Sequence, residues 1–182
     1  MAECRFAVFD TAIGHCSIAW SEAGVTGVQL PEGDAEQTRR RMLRRHGRLG
    51  EASPPPCVQQ AIAGIVALLG GQPVDLTPVV LDLSAVATFE RRVYERTRLI
   101  APGRTTTYGA IAAALGDATL ARAVGHALGR NPFAIVVPCH RVLAADGRIG
   151  GFSAAGGAIT KQRLLLIEGA RPGDEPGLFD AP

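Results

Sequence analysis

The apolar positions of the first thirty residues fall in three short runs. Arg5–Asp10, Cys16–Trp20 and Val25–Leu30 favour β structure and are separated by Gly14 and by Glu22-Ala-Gly24, so the simplest arrangement is a meander. The period then changes. From about Asp34 to Arg48 the chain reads as a helix with Asp34 as its N-cap. Ser53-Pro-Pro-Pro56 is a stiff extended connector into an amphipathic helix over Val58–Leu69, closed by Gly70-Gly71. Val79–Leu83 predicts one further short strand.

Beyond Val86 the pattern is mainly helical. Thr88 is placed to cap a helix whose apolar positions Phe89, Val93, Leu99 and Ile100 share a face, with Tyr94 and Thr97 nearby. Pro102-Gly103 ends it. Thr107 caps a short helix over Tyr108–Leu115, Gly116-Asp117 turns the chain, and a second short helix runs from about Thr119 to Gly129. Two short helices joined by a glycine turn fit either a helix-turn-helix or a plain αα-hairpin. The second helix, Ala121-Arg122-Ala123-Val124-Gly125-His126-Ala127-Leu128-Gly129, is crowded with small residues. Glycine inside a helix costs about 1 kcal/mol against alanine, so either another helix or a nucleic acid comes very close here. Ile135–Val137 reads as a buried β-like run. Together the elements predict an α+β protein of two domains. The first, residues 1–84, is a small α/β domain with a short, mainly antiparallel sheet; the second, residues 85–182, is mainly helical.

Composition narrows the class. The 182 residues are 47% hydrophobic and 20% charged, an ordinary globular mixture that excludes disordered and collagen-like chains. The longest apolar run, Ala61–Leu69, is too short to cross a bilayer. An acid at position 3 and no ten-residue apolar stretch near the start argue against a secretory signal. A soluble, cytoplasmic protein is expected, with no membrane partner.

The net charge of +2 conceals an asymmetry. Residues 1–84 carry seven arginines against nine acids, whereas residues 85–170 carry ten arginines and one lysine against five acids. The basic half fits an anionic partner, nucleic acid first among them. The arginines of the first helix (Arg39, Arg40, Arg41, Arg44, Arg45) read better as a solvated face, because no aromatic or glycine-rich partner interleaves with them.

Four cysteines, Cys4, Cys16, Cys57 and Cys139, match neither a disulfide framework nor a CxxC metal site, so free thiols are expected. Cys139 stands between Pro138 and His140. A free thiol is only a few per cent thiolate at neutral pH, so a nucleophilic cysteine needs a base or a cation within reach. Neighbours on a strand point apart; Cys139 and His140 can cooperate only across a turn or through a water, and Pro138 suits a turn. Zinc deaminase chemistry needs His-x-Glu and Pro-Cys-x-x-Cys, but position 142 is Val and the chain has no His-x-Glu. The local signatures of papain-like proteases are also absent. A nucleophilic cysteine working without metal or cofactor remains.

Pro138-Cys139-His140-Arg141-Val142 resembles the hallmark of the O6-alkylguanine-DNA alkyltransferases, the methylated-DNA–protein-cysteine methyltransferases. The resemblance spans nearly all of residues 85–170. It includes Pro102-Gly-Arg-Thr-Thr-Thr-Tyr108-Gly-Ala-Ile-Ala112, Ala121-Arg-Ala-Val-Gly125, Asn131-Pro132, Ile149-Gly-Gly-Phe-Ser153 and Leu164-Leu-Leu-Ile-Glu168-Gly169. Phe9-Asp-Thr-Ala-Ile-Gly14 and Val28-Gln-Leu30 resemble the more variable N-terminal domain, which the family folds like ribonuclease H.

The resemblance implies DNA repair by one irreversible, single-turnover transfer of the alkyl group from O6-methylguanine, and from O4-methylthymine, to Cys139. It implies that His140 takes the thiol proton through a water, that Glu168, near the start of the last turn of a C-terminal helix, orients His140, and that Asn131 braces the turn and joins the His–Glu network. Tyr108 and Ser153 would bond the guanine, and Val142 and Phe152 would line its pocket. A helix-turn-helix over about 107–130 would place Ala121, Arg122, Ala123 and Gly125 against the minor groove, with Arg122 filling the gap left by the flipped base. Double-stranded DNA carrying O6-alkylguanine is the implied partner of a monomer that could cluster along DNA, and no cofactor or nucleotide is implied. Some members hold a structural zinc, but Ser21 and Thr26 stand at ligand positions, so no metal is expected. Ala154-Ala155 look like additional residues after Ser153, and His126 replaces a small residue, either touching phosphate or merely exposed. Two rivals are a damage-recognition protein without transfer and a regulator switched by its own methylation. The presence of Cys139 with Asn131, His140 and Glu168 weighs against the first, and the lack of an extra cysteine-rich module against the second.

Overall fold

A computed structural model describes residues 4–47 and 49–170. Its architecture mixes α and β elements. β1 (Arg5–Thr11), β2 (Gly14–Ser21) and β3 (Gly24–Gln29) form the antiparallel meander, and β4 (Gly50–Glu51) adds in parallel beside β1, giving the order β3-β2-β1-β4. The sequence offers no β4 signal; two residues qualify as a strand only because Arg5 and Phe6 lie alongside them. The Thr11 hydroxyl donates to the Gly14 carbonyl and closes the first hairpin. α1 (Ala35–His46) packs on β2, and α2 (Pro56–Leu69) on β1. Phe6, Ala19 and Met42 form a buried core here, flanked by Val8, Leu43 and Leu49.

The Asp34 side chain accepts from the Gln37 backbone and caps α1. This helix stops at His46, short of Arg48, which lies outside the described residues. α2 starts two residues before the expected Val58, because proline is well tolerated in a helix's first turn. The strand expected over Val79–Leu83 does not form. Only Leu81 bridges to Val25, held by two backbone bonds around Val25, and Val80 is exposed.

The chain divides into two compact units, residues 1–85 with 132–136, and residues 86–131 with 137–182. Pro132–Val136 therefore leaves the segment assigned to the second domain. Its tie to the first unit is local: the Val28 N–H donates to the Pro132 carbonyl, and Val28 bridges Phe133.

In the second unit α3 (Thr88–Arg98) is capped by Ala87 rather than Thr88 and has no side-chain cap bond. Val93, Tyr94 and Thr97 form its buried face. Leu99 is 52% exposed, against expectation; six residues on from Val93 it has turned well off that face. Thr107 caps α4 (Tyr108–Ala114) by accepting from the Ala110 N–H. The next expected helix is split into a 3-10 turn, Ala118–Leu120, and α5 (Ala121–Gly129). Asp117 accepts from the Thr119 N–H, and this local competition gives the entry its tighter geometry. α6 (Ala158–Ile167) closes the described chain, and β5 (Thr106–Thr107) pairs in parallel with β6 (Val142–Leu143). No helix of the described residues is long and apolar enough to cross a membrane.

Candidate active site

The run Ile135–Val137 is buried as expected but is not a strand. Ile135 has φ +70°, unlike any other non-glycine residue among those described. A β-branched residue there is strained by an amount of order 1–3 kcal/mol. The chain folds through turns and delivers Cys139–Arg141 as one turn of 3-10 helix, with Pro138 before it. A tight turn, not a strand, therefore carries Cys139 and His140.

Asn131 braces this turn. Its Nδ2 donates to the Val137 carbonyl at 2.8 Å and toward Cys139 Sγ at 3.5 Å. Cys139 is 8% exposed and opens on a cavity of about 30 Å³. Tyr108, Gly125, Leu128 and Phe152 line that cavity with Gly151 and Ser153. Val142, expected on its wall, is fully buried in β6 and is not among the lining residues. Strand pairing with Thr106 takes it into the packing behind the turn.

His140 points the other way, into the protein. Its Nε2 lies 2.8 Å from Glu168 Oε1, and both side chains are almost wholly buried. Glu168 caps the C-terminus of α6 just past its last turn, instead of lying at the start of that turn. Burial alone would raise the Glu168 carboxyl, but hydrogen bonds from His140 and Arg141 bring it down to about 2. It is therefore an acceptor at neutral pH, and the His140 Nε2 must carry the hydrogen. Burial also holds His140 below the ordinary histidine value, against the pull of Glu168. A neutral ring protonated at Nε2 keeps its lone pair on Nδ1, which makes that nitrogen the one able to accept a proton.

Two members of the site escaped sequence reasoning. Arg141 lies inside the five-residue motif yet received no role. It grips Glu168 in a bidentate pair, Nε to Oε2 and Nη2 to Oε1, each at 2.8 Å, and its Nη1 donates to the Ile100 carbonyl. The Gly103 N–H approaches Glu168 Oε2 at 3.4 Å, with φ +77°. A Cβ at Gly103 would meet the Glu168 carbonyl oxygen at 2.9 Å, so the Pro102-Gly103 turn needs its glycine. The second is Lys161, buried on α6 with its Nζ 2.6 Å from the Val142 carbonyl and 3.4 Å from the Tyr108 hydroxyl. A signal existed: Lys161 falls at i−3 and i−4 to Leu164 and Leu165, on the helix's buried face.

On α5, Val124, Ala127 and Leu128 are buried, while Arg122, His126 and Gly129 are exposed along the opposite side. Ala121, Ala123 and Gly125 are half-buried between them. The Arg122 side chain makes no hydrogen bond or ion pair among the described residues. Ser21, one of the two positions compared with zinc ligands, donates to Asp82; Thr26 has a buried hydroxyl. Among the described residues no three His, Cys, Asp or Glu side chains gather as a metal site.

The chain as a whole is similar to known proteins in sequence and in fold. The family model described as "6-O-methylguanine DNA methyltransferase, DNA binding domain" matches residues 88–170. The methylated-DNA–protein-cysteine methyltransferase of Methanothermobacter thermautotrophicus is 36% identical over 152 residues, covering 84% of this chain and 78% of that protein. The crystal structure of the Mycobacterium tuberculosis O6-methylguanine methyltransferase superposes with a TM-score of 0.73 at 32% identity, covering 94% of this chain and 96% of that one. A second crystal structure, of Mycobacterium tuberculosis OGT in complex with DNA, also gives 0.73 at 32% identity over 91% and 92% of the two chains. The chain belongs to the methylated-DNA–protein-cysteine methyltransferase family.

Proposed function

We propose that this protein repairs O6-alkylguanine in duplex DNA by moving the alkyl group onto Cys139, once per molecule. The observation that carries the reading is the placement of Cys139 on the cavity with the His140–Glu168–Arg141 network packed behind it. His140 Nδ1 takes the thiol proton through a water, and Glu168 keeps the ring in that tautomer. Sγ then bonds to the alkyl carbon as the carbon–O6 bond breaks, and the leaving guanine recovers a proton. Tyr108 and Ser153 donate hydrogen bonds that make the base a better leaving group, while Phe152 packs against it. O4-methylthymine, with the same alkoxy-imine chemistry, is a second substrate. The thioether is stable, so the cysteine is consumed, and the step itself uses no cofactor.

The pair α4 and α5 acts as a helix-turn-helix that presents Arg122 to the minor groove. The small residues Ala121, Ala123 and Gly125 permit close approach to the backbone, and Arg122 fills the stack when the damaged base flips out. The N-terminal unit has the ribonuclease H-like fold of the family. The four described cysteines are free thiols, which suits a cytoplasmic protein.

Intact-protein mass spectrometry after incubation with duplex DNA carrying one O6-methylguanine tests this reading. One methyl group is expected on the peptide holding Cys139, and none on Cys139→Ala. Tight binding to the lesion without any gain would instead establish damage recognition without transfer.

A further inference from the structure

His126 stands on α5 one turn beyond Arg122, and the two are the only long side chains on the exposed side of that helix. Around them stand Ala121, Ala123, Gly125 and Gly129, none with a side chain that reaches past Cβ. Four residues of α-helix turn the chain through about 400° and advance it about 6 Å. His126 therefore points within about 40° of Arg122, about 6 Å further along the helix. The opposite side of α5 is closed, with Val124, Ala127 and Leu128 buried. Arg130, the next cation in the chain, is held by Glu90 at 2.7 Å. The His126 side chain, like that of Arg122, makes no hydrogen bond or ion pair among the described residues.

A guanidinium that enters the base stack points at the floor of the groove, not at the phosphates that rim it. A side chain turned only about 40° from it faces the same floor. With α5 in the groove, about 6 Å of helix spans no more than about two base steps of 3.4 Å. The pairs there differ at their minor-groove edges. A·T and T·A offer only the acceptors A N3 and T O2, whereas G·C adds the G N2 amino donor. Imidazole carries at least one N–H whether neutral or charged. It can donate to the edge of an A·T pair, but at a G·C pair it meets a second donor. Histidine is also among the side chains that narrow, A·T-rich minor grooves attract.

We infer that His126 is a specificity-determining residue: its ring donates an N–H to the minor-groove edge of an A·T pair about two steps from the lesion, which makes repair depend on the flanking sequence. The inference rests on the reading of α5 as the groove-binding helix. Its test compares wild type with His126→Ala, a change at an exposed position that should leave thermal melting nearly unaltered. Second-order rate constants for methyl transfer are measured on duplexes carrying one O6-methylguanine. The pairs two steps from the lesion on both sides are A·T, G·C or inosine·C, inosine being guanosine without the N2 amino group. Wild type should favour A·T over G·C about fivefold more strongly than His126→Ala does, the worth of one hydrogen bond, and inosine·C should rank with A·T. Equal A·T to G·C ratios in the two proteins would overturn the inference, as would inosine·C ranking with G·C in wild type. A loss in His126→Ala that is the same on all three duplexes would place the ring on phosphate and overturn it too. Wild type that gains no methyl group from any duplex would overturn the transfer reading instead, so the two failures are distinguishable.

Discussion

Acidification acts directly on the His140–Glu168–Arg141 network, because two of its groups titrate away from their ordinary values when the chain folds. Glu168 stays ionised down to about 2 in the folded chain, whereas an unfolded glutamate takes up its proton near 4.3. Its contribution is therefore complete above about 4.3 and is lost as the pH falls toward about 2. His140 adds to this from higher pH. Below about 6.5 an unfolded histidine gains a proton that buried His140 resists, so stability starts to fall there too. Urea midpoints across a pH series should decline in two stages; a flat stability from about pH 7 to about pH 5 would contradict the histidine stage. Glu168→Gln removes the only carboxylate that Arg141 is seen to grip and should cost about 3–5 kcal/mol, the loss expected when one member of a buried pair goes. Asn131→Ala strips a bond from the Val137 carbonyl, and urea unfolding should show about 1–3 kcal/mol lost. An unchanged midpoint would mean that the turn does not depend on Asn131. At this scale Cys139, His140, Asn131 and Glu168 were legible as a motif. Lys161 carries a weaker signal, its spacing to Leu164 and Leu165, against which a lone lysine on a helix normally reads as a solvated face.

Capped helices were the most legible elements. Asp34 and Thr107 each accept from the backbone three residues on, a local bond that needs no tertiary context. The segment from Asn131 to Arg141 was illegible for the opposite reason. Its apolar run has strand composition, but its conformation is set by Pro138, by the left-handed Ile135 and by bonds from Asn131. The Pro102-Gly103 turn is a second case of conformation set from a distance. Gly103→Ala adds a strained φ and a carbon 2.9 Å from the Glu168 carbonyl oxygen, so it should destabilise by more than about 1 kcal/mol and slow transfer as well. A neutral effect on the urea midpoint would show that this turn has room to shift. α5 gives the converse. Arg122 is exposed, so Arg122→Ala should change stability by no more than about 0.5 kcal/mol. It should slow transfer from duplex DNA far more than transfer from a free O6-alkylguanine base, because only the duplex has a stack to fill. Equal losses on both substrates would remove the finger role from Arg122.

Across the whole chain, charge and connectivity divide at nearly the same place. The first compact unit ends at Ala85 apart from residues 132–136, close to where the charge turns from acidic to strongly basic. A boundary near Asp82–Val86 is expected from that change of charge, which is a local signal. Such a signal could not foresee that Pro132–Val136 joins the first unit, because that depends on one backbone bond and one bridge to Val28, far away in sequence. The charge division leads to a quantitative expectation. Residues 85–170 hold ten arginines and one lysine against five acids, but not all of those bases are available: Arg141 is committed to Glu168, Arg130 to Glu90 and Lys161 to the cavity. Contacts to phosphate must come from the remaining exposed arginines, and each phosphate neutralised releases about 0.9 of a counterion. Affinity for undamaged duplex should thus fall linearly in a plot of log binding constant against log salt, with a slope of a few units rather than the full basic excess. Fluorescence anisotropy on a labelled duplex across a salt series measures that slope. A salt-independent affinity would mean that the basic half of the chain serves solubility, and that DNA is held by groove contacts alone.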